Sequence, residues 1–193
     1  MSRDAVSGKS AEPRTFCCGT GISVITTPSV DTEKKIVAYL RAKEMHCART
    51  NEIVGRLRED GATVVGVHIR RGDYREVAPS LYFDDTTYLR FMKEFEESHG
   101  GKIKFVAVSN EPVDVSFFSA NGIDLTVASG TPQEDVITLS LCDYIMGPGS
   151  TFSWWAAYYG DKPRLSLCSR DDVVSLDKFA KETSLVSQFG DCK

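Results

Sequence analysis

The run His68-Ile69-Arg70-Arg71-Gly72-Asp73-Tyr74 places an imidazole, two guanidiniums and a carboxylate directly after the apolar stretch Thr63-Val64-Val65-Gly66-Val67. A buried strand opening into such a loop is poorly explained as packing. It suits the capture of a strongly negative small ligand, above all a diphosphate. Arginine fits that task because its planar guanidinium makes two parallel charge-assisted bonds to phosphate oxygens. Two adjacent arginines repel unless an anion or carboxylate lies between them. Asp73 can lock one guanidinium while the other faces the ligand. A surface ion pair, or a chance Arg-Gly-Asp tripeptide, is the plainer alternative. The convergence of four polar groups on one strand end argues against it.

A second candidate is Gly147-Pro148-Gly149-Ser150-Thr151, which leads into Phe152-Ser153-Trp154-Trp155-Ala156-Ala157. Ser150 is a good helix N-cap. The glycines permit close approach of a ligand, and the helix start offers N–H groups and positive partial charge to a phosphate. The same residues also fit an ordinary capped turn, and this loop is neither a Walker loop nor a GxGxxG fingerprint. The aromatic stretch reads either as a wall for a base or sugar ring, or as core packing. Glu134-Asp135 opens the preceding helix. Placement at a helix N-terminus explains these acids, and a carboxylate accepting from a nucleoside is the alternative.

Alternating elements position these loops. Strands are predicted over 63–69, 102–108, 124–127, 144–146 and 164–167. Helices are predicted over about 84–98, 113–120, 132–142 and 151–159, preceded by helical stretches from Asp31 or Thr32 and from about Thr50 to Arg58. Gly100-Gly101 stops the helix over 84–98. Asp143 is expected to end the helix over 132–142 or to pair locally. Strands alternating with helices imply a parallel sheet covered on both faces, a Rossmann-like doubly wound α/β domain. In that fold ligands sit beyond the carboxyl ends of the strands. His68 to Asp73, Ser109-Asn110-Glu111 and Gly147 to Thr151 all fall there. Residues 1–30 read as an irregular segment with a short strand near Ile22–Ile25, and 31–193 as the domain.

Composition sets the outer limits. The 193 residues, 41% of them hydrophobic, can bury a real core, and a net charge of -4 argues against general nucleic-acid binding. Six cysteines show no pair of Cys-x-x-Cys motifs, so no zinc site is expected, and Cys142 and Cys168 read as buried thiols. His46 and His99 read as surface residues. Asp84-Asp85 and Asp171-Asp172 are not a metal motif, so no obligate divalent metal is expected. No run of apolar residues is long enough to span a membrane. The polar N-terminus lacks a signal-peptide core, which gives a soluble, cytoplasmic expectation.

Together the two motifs resemble the α-1,2-fucosyltransferase family and, more loosely, the α-1,6- and protein O-fucosyltransferases. The likeness covers roughly residues 60–165. It implies a GT-B-type glycosyltransferase of glycan biosynthesis, of which this chain is the donor-binding half with a shortened N-terminal part, open to membership of a longer multidomain enzyme. It implies GDP-fucose as donor, no cofactor or metal, and inverting transfer of L-fucose to a glycan hydroxyl. Carried over, Arg70 binds the diphosphate and assists its departure, with His68 and Asp73 as its catalytic companions. His68, Arg71, Asp135, Ser150, Thr151 and Phe152 complete the donor-binding set, Asp135 contacting guanine or ribose. Ser109-Asn110-Glu111 stands where relatives carry a Ser-Asp-type strand end, and its role stays open. Glu111 and Asp73 are the candidates for general base. Two alternatives remain: a nucleotide-sugar-binding domain without turnover, and a transferase using another nucleotide sugar.

Overall fold

The structure is a computed structural model that describes residues 16–18, 21–23, 35 and 44–181. Apart from Lys35, the helix expected from Asp31 or Thr32 lies outside the described residues, as does the chain beyond residue 181. Strands β1 (Phe16–Cys18) and β2 (Gly21–Ser23) pair antiparallel. Helix α1 (Glu44–Arg58) begins earlier than its apolar spacing suggests. There follow β3 (Thr63–Ile69), a short α2 (Tyr74–Val77) with a 3-10 turn over Pro79–Leu81, and α3 (Asp85–His99). Next come β4 (Ile103–Ser109), α4 (Val115–Ala120), β5 (Leu125–Val127), α5 (Pro132–Leu141) and β6 (Tyr144–Pro148). The last elements are α6 (Thr151–Gly160), β7 (Pro163–Leu167), a 3-10 turn over Leu176–Lys178 and β8 (Ala180–Lys181).

Six strands form one sheet in the order β5-β4-β3-β6-β7-β8. All neighbours are parallel except β7 and β8. The short antiparallel edge is a departure from the expected all-parallel sheet. Two residues of pairing leave no periodicity to read. The chain winds outward from β3 through β4 and β5, then returns to start again at β6 on the other side. The boundary between β3 and β6 is therefore the topological switch point.

Helices cover both faces, as the strand composition requires. β3 is buried at six of its seven positions and reads as a continuous apolar run because both its faces are packed. On one face α3 and α4 bring Phe91, Phe95 and Phe118 against Val65, Val67 and Phe105. On the other, Val54, Leu57, Leu139 and Ala156 from α1, α5 and α6 meet Val64, Val106 and Ile145. α3 starts with Asp84 accepting the Thr87 N–H and ends at Gly100 with φ 68. Asp143 does more than end α5. It accepts the Val64 N–H at 2.9 Å and pairs with Arg58 at 2.6 Å, tying α1 to the start of β6.

Two side chains depart from expectation. His99 is half-buried and stacks on Phe95, with ring centroids 5.7 Å apart. Cys142 is a buried thiol whose pKa burial pushes up to about 12, but Cys168 is disulfide-bonded. A disulfide belongs to oxidising compartments, so this bond lends no support to the cytoplasmic expectation. Among the described residues no helix is long and apolar enough to cross a membrane.

Phe95 is the hub of the larger cluster, with Phe105, Tyr144 and Phe179 packed edge-on within 6.3 Å of its ring centre. Phe95→Ala is expected to destabilise by about 3–5 kcal/mol. Urea unfolding checks this, as a lower midpoint at unchanged slope.

Candidate functional site

A cavity of about 650 Å³ opens at the carboxyl ends of the strands beside the switch point. His68, Arg70 and Tyr74 line it from the end of β3, and Val108, Ser109 and Asn110 from the end of β4. Gly130, Pro132 and Asp135 contribute from the β5–α5 connection, and Gly149 to Phe152 from the β6–α6 turn. The three strand ends singled out in the sequence thus share one cavity.

The two arginines part company here. Side chains alternate along a strand, and the alternation continues past the end of β3. His68 and Arg70 face the cavity. Ile69 and Arg71 face the α3 layer. Arg70 is partly exposed, pairs with Asp73 at 2.7 Å and lies over the Tyr74 ring at 5.3 Å. Arg71 is buried. Its Nε donates to the Phe83 carbonyl at 3.1 Å, its Nη2 reaches Asp85 at 2.5 Å, and its guanidinium lies over Tyr88. Arg71, which the resemblance places in the donor-binding set, does not line the cavity. Asp73 therefore restrains the arginine that faces the cavity, and Asp85 locks the other.

His68 is 5% exposed, and its Nδ1 is buried without a hydrogen-bond partner. Burial, reinforced by the charges of Arg70 and Arg164, pushes its pKa down to about 3, so the ring is neutral at physiological pH. It packs against Phe152 with ring centroids 5.1 Å apart. Beside it runs β6, paired in parallel with β3. A Cβ on Gly147 would stand 2.6 Å from the His68 carbonyl oxygen, so only glycine fits.

The α5 and α6 termini complete the cavity. Thr131 caps α5 in a capping box with Glu134, whose carboxylate accepts the Thr131 N–H at 2.7 Å. The neighbouring acids thus divide their tasks. Glu134 holds the helix start, while Asp135 turns toward the cavity with Oδ1 buried and unpartnered. Burial, then the Glu134 charge, raises the Asp135 carboxyl to about 6. At α6, the Ser150 hydroxyl accepts the Phe152 N–H at 3.2 Å, and the first turn of the helix faces the cavity.

Other predicted residues resolve as follows. Trp154 is buried and stacks on Tyr158, and neither it nor Trp155 lines the cavity, so the wall of the aromatic stretch is Phe152 alone. Tyr74, quoted in the first motif but given no role there, is a strut. It lies under Arg70, and its hydroxyl donates to the Gly149 carbonyl at 3.2 Å, joining the two motifs. Its place beside a cationic loop was the available signal. Gly130 and Pro132 were missed, since a turn before a helix carries no chemical signature. Among the described residues no group of three His, Cys, Asp or Glu is placed to hold a metal ion.

Comparison with known proteins accords with this geometry. The family model described as glycosyl transferase family 11 matches residues 30–181. Galactoside alpha-(1,2)-fucosyltransferase 1 of Mus musculus is 34% identical over 143 residues, covering 66% of this chain and 36% of that protein. The Homo sapiens protein of the same name is 32% identical over 152 residues, covering 70% of this chain and 40% of that protein. The chain therefore spans well under half the length of these relatives. Among solved structures, fucosyltransferase NodZ from Bradyrhizobium superposes with a TM-score of 0.53 at 16% identity, over 72% of this chain and 50% of that one. That likeness shows the fold. With the family match extending through both motifs and every strand that borders the cavity, the chain belongs to glycosyl transferase family 11.

Proposed function

We propose that this chain supplies the donor-binding part of an α-1,2-fucosyltransferase-like enzyme. It would carry L-fucose from GDP-fucose to a glycan hydroxyl, with inversion and without a metal. The observation that carries this reading is the shared cavity. One cation, two helix N-termini, one neutral imidazole and one partly protonated acid line the same space at the switch point. The names of the relatives support the fucosyl donor. So does the solved NodZ alpha-1,6-fucosyltransferase soaked with GDP-fucose, which shares the fold at a TM-score of 0.51.

In the proposed reaction the bond between fucose C1 and the diphosphate oxygen breaks. The acceptor hydroxyl oxygen bonds to C1 from the opposite face, and its proton passes to a base not assigned among these residues. Negative charge grows on the departing diphosphate. Arg70 and the α6 N-terminus meet that charge where it develops, so they stabilise the transition state more than the bound substrate. Ser150 and Thr151 hold phosphate oxygens. Asp135 accepts from nucleoside N–H or hydroxyl groups, which gives its buried Oδ1 a partner. His68, being neutral, offers a hydrogen bond without adding charge, and Phe152 flanks it. Asp73 keeps Arg70 aimed. Arg71 supports the loop from behind.

The two arginines separate binding from folding. Arg70→Ala is expected to slow GDP-fucose turnover or hydrolysis by about a hundred- to thousandfold while leaving Tm within about 2 °C. Arg71→Ala is expected to lower stability by about 3 kcal/mol, the low end for breaking a buried ion pair because Asp85 keeps some access to water. Calorimetric titration with GDP and UDP tests the donor. UDP binding as tight as GDP would reject a fucosyl donor.

Asp135 imposes a pH dependence. Its carboxyl is protonated below about pH 6 in the free protein and must ionise to accept hydrogen bonds from the nucleoside. Ligand binding then releases a proton, and GDP affinity falls as pH drops through 6. Between pH 7.5 and 5.0 the expected loss is about tenfold beyond that of Asp135→Asn, in which only the titration of GDP itself remains. For folding the sign is opposite. The raised pKa means that the stability this group contributes is present at low pH and lost as pH rises through 6.

A further inference from the structure

The loop that presents Arg70 is braced from the end of β4. Asn110 Oδ1 accepts the Arg71 N–H at 2.9 Å, and Glu111 Oε1 accepts the Gly72 N–H at 3.1 Å. Glu111 is itself anchored, since its N–H donates to Ser109 Oγ at 3.1 Å. The Arg71 bond also fixes the orientation of the Asn110 amide. An N–H donor must be met by oxygen, so Nδ2 is turned toward Gly72. Gly72 has φ +52, and a Cβ there would lie 2.6 Å from Asn110 Nδ2. Backbone and brace therefore fit one another closely, and the brace touches the two residues that immediately follow Arg70.

We propose that Asn110 and Glu111 are positioning residues for Arg70, and that Glu111 works by accepting a backbone N–H rather than by taking a proton from an acceptor. This rests on the donor-site reading above. The physical reason is pre-organisation. A loop arginine that wanders between rotamers and backbone states spends binding energy on ordering itself, and a small misplacement of a charged group weakens its contact with a diphosphate steeply. A carboxylate accepting a backbone N–H is a strong, charge-assisted restraint. Together with the neutral amide acceptor of Asn110 on the preceding residue, it leaves the turn little freedom. Tyr74, clipped to Gly149, restrains the other side of the same loop.

The test is a double-mutant cycle read by GDP titration on the whole chain, with amide hydrogen exchange at Arg71 and Gly72 as an independent measure. Asn110→Ala and Glu111→Ala are each expected to weaken GDP binding about tenfold. Both should also speed exchange at the amide they release. Glu111→Gln, which keeps an acceptor oxygen, is expected to restore binding to within about twofold. In an Arg70→Ala background the alanine changes at 110 and 111 should have little further effect, because they act through Arg70. Additive losses in that background, or a Glu111→Gln protein as weak as Glu111→Ala, would overturn the proposal. A parent that binds GDP, with Glu111→Ala unaffected, sinks the positioning pair alone. A parent that binds neither GDP nor UDP removes the donor-site reading and this inference with it.

Discussion

Two guanidiniums joined by a single peptide unit repel one another, and the fold resolves that repulsion by sending them in opposite directions. The alternation of side chains along β3 makes this unavoidable. With His68 on the cavity side, Arg70 must follow it, and Arg71 must enter the α3 layer. There it finds a carbonyl, a carboxylate and an aromatic face. The loop can hold a lone cation toward the cavity because its neighbour is locked behind it. Much of the surrounding architecture serves that separation: the Asp73 partner, the Tyr74 strut and the braces from β4.

The cavity is polarised as a result. Arg70 and the starts of α5 and α6 supply positive potential, while Asp135 is the only acid among the lining residues. His68 lies within the cavity but contributes no charge, since burial and two nearby arginines keep it neutral. A ligand that carries both hydrogen-bond donors and an anionic group matches this lining better than a bare anion does. The unpartnered Nδ1 of His68 and Oδ1 of Asp135 carry the same message. Buried polar atoms that the fold itself leaves unsatisfied are stabilised when a ligand supplies the missing partners.

Legibility in the sequence followed physical range. The core strands, the Gly100 stop and the Ser150 cap were readable because each depends on residues within a turn or a strand period of one another. The destination of Arg71 was not, since Phe83 and Asp85 lie a dozen or more positions downstream and are brought to it only by the folding of α3. The excursion over 74–81 buries no residue fully and has no apolar spacing to announce it. β8 is too short to show any period. Cys168 sits in an apolar context that reads as a buried thiol, whereas its disulfide depends on tertiary proximity. The cavity itself was foreseeable from topology, because three chemically unusual loops fell at carboxyl strand ends. Its individual occupants, such as Tyr74, were not.

The contact between Gly147 and the His68 backbone has an implication for redesign. A side chain at position 147 would collide with the His68 backbone, so this edge of the site is fixed as glycine. At Pro132 and Asp135, by contrast, helix α5 already presents side chains rather than bare backbone. Attempts to alter ligand preference have room to vary at those two positions, while position 147 has none.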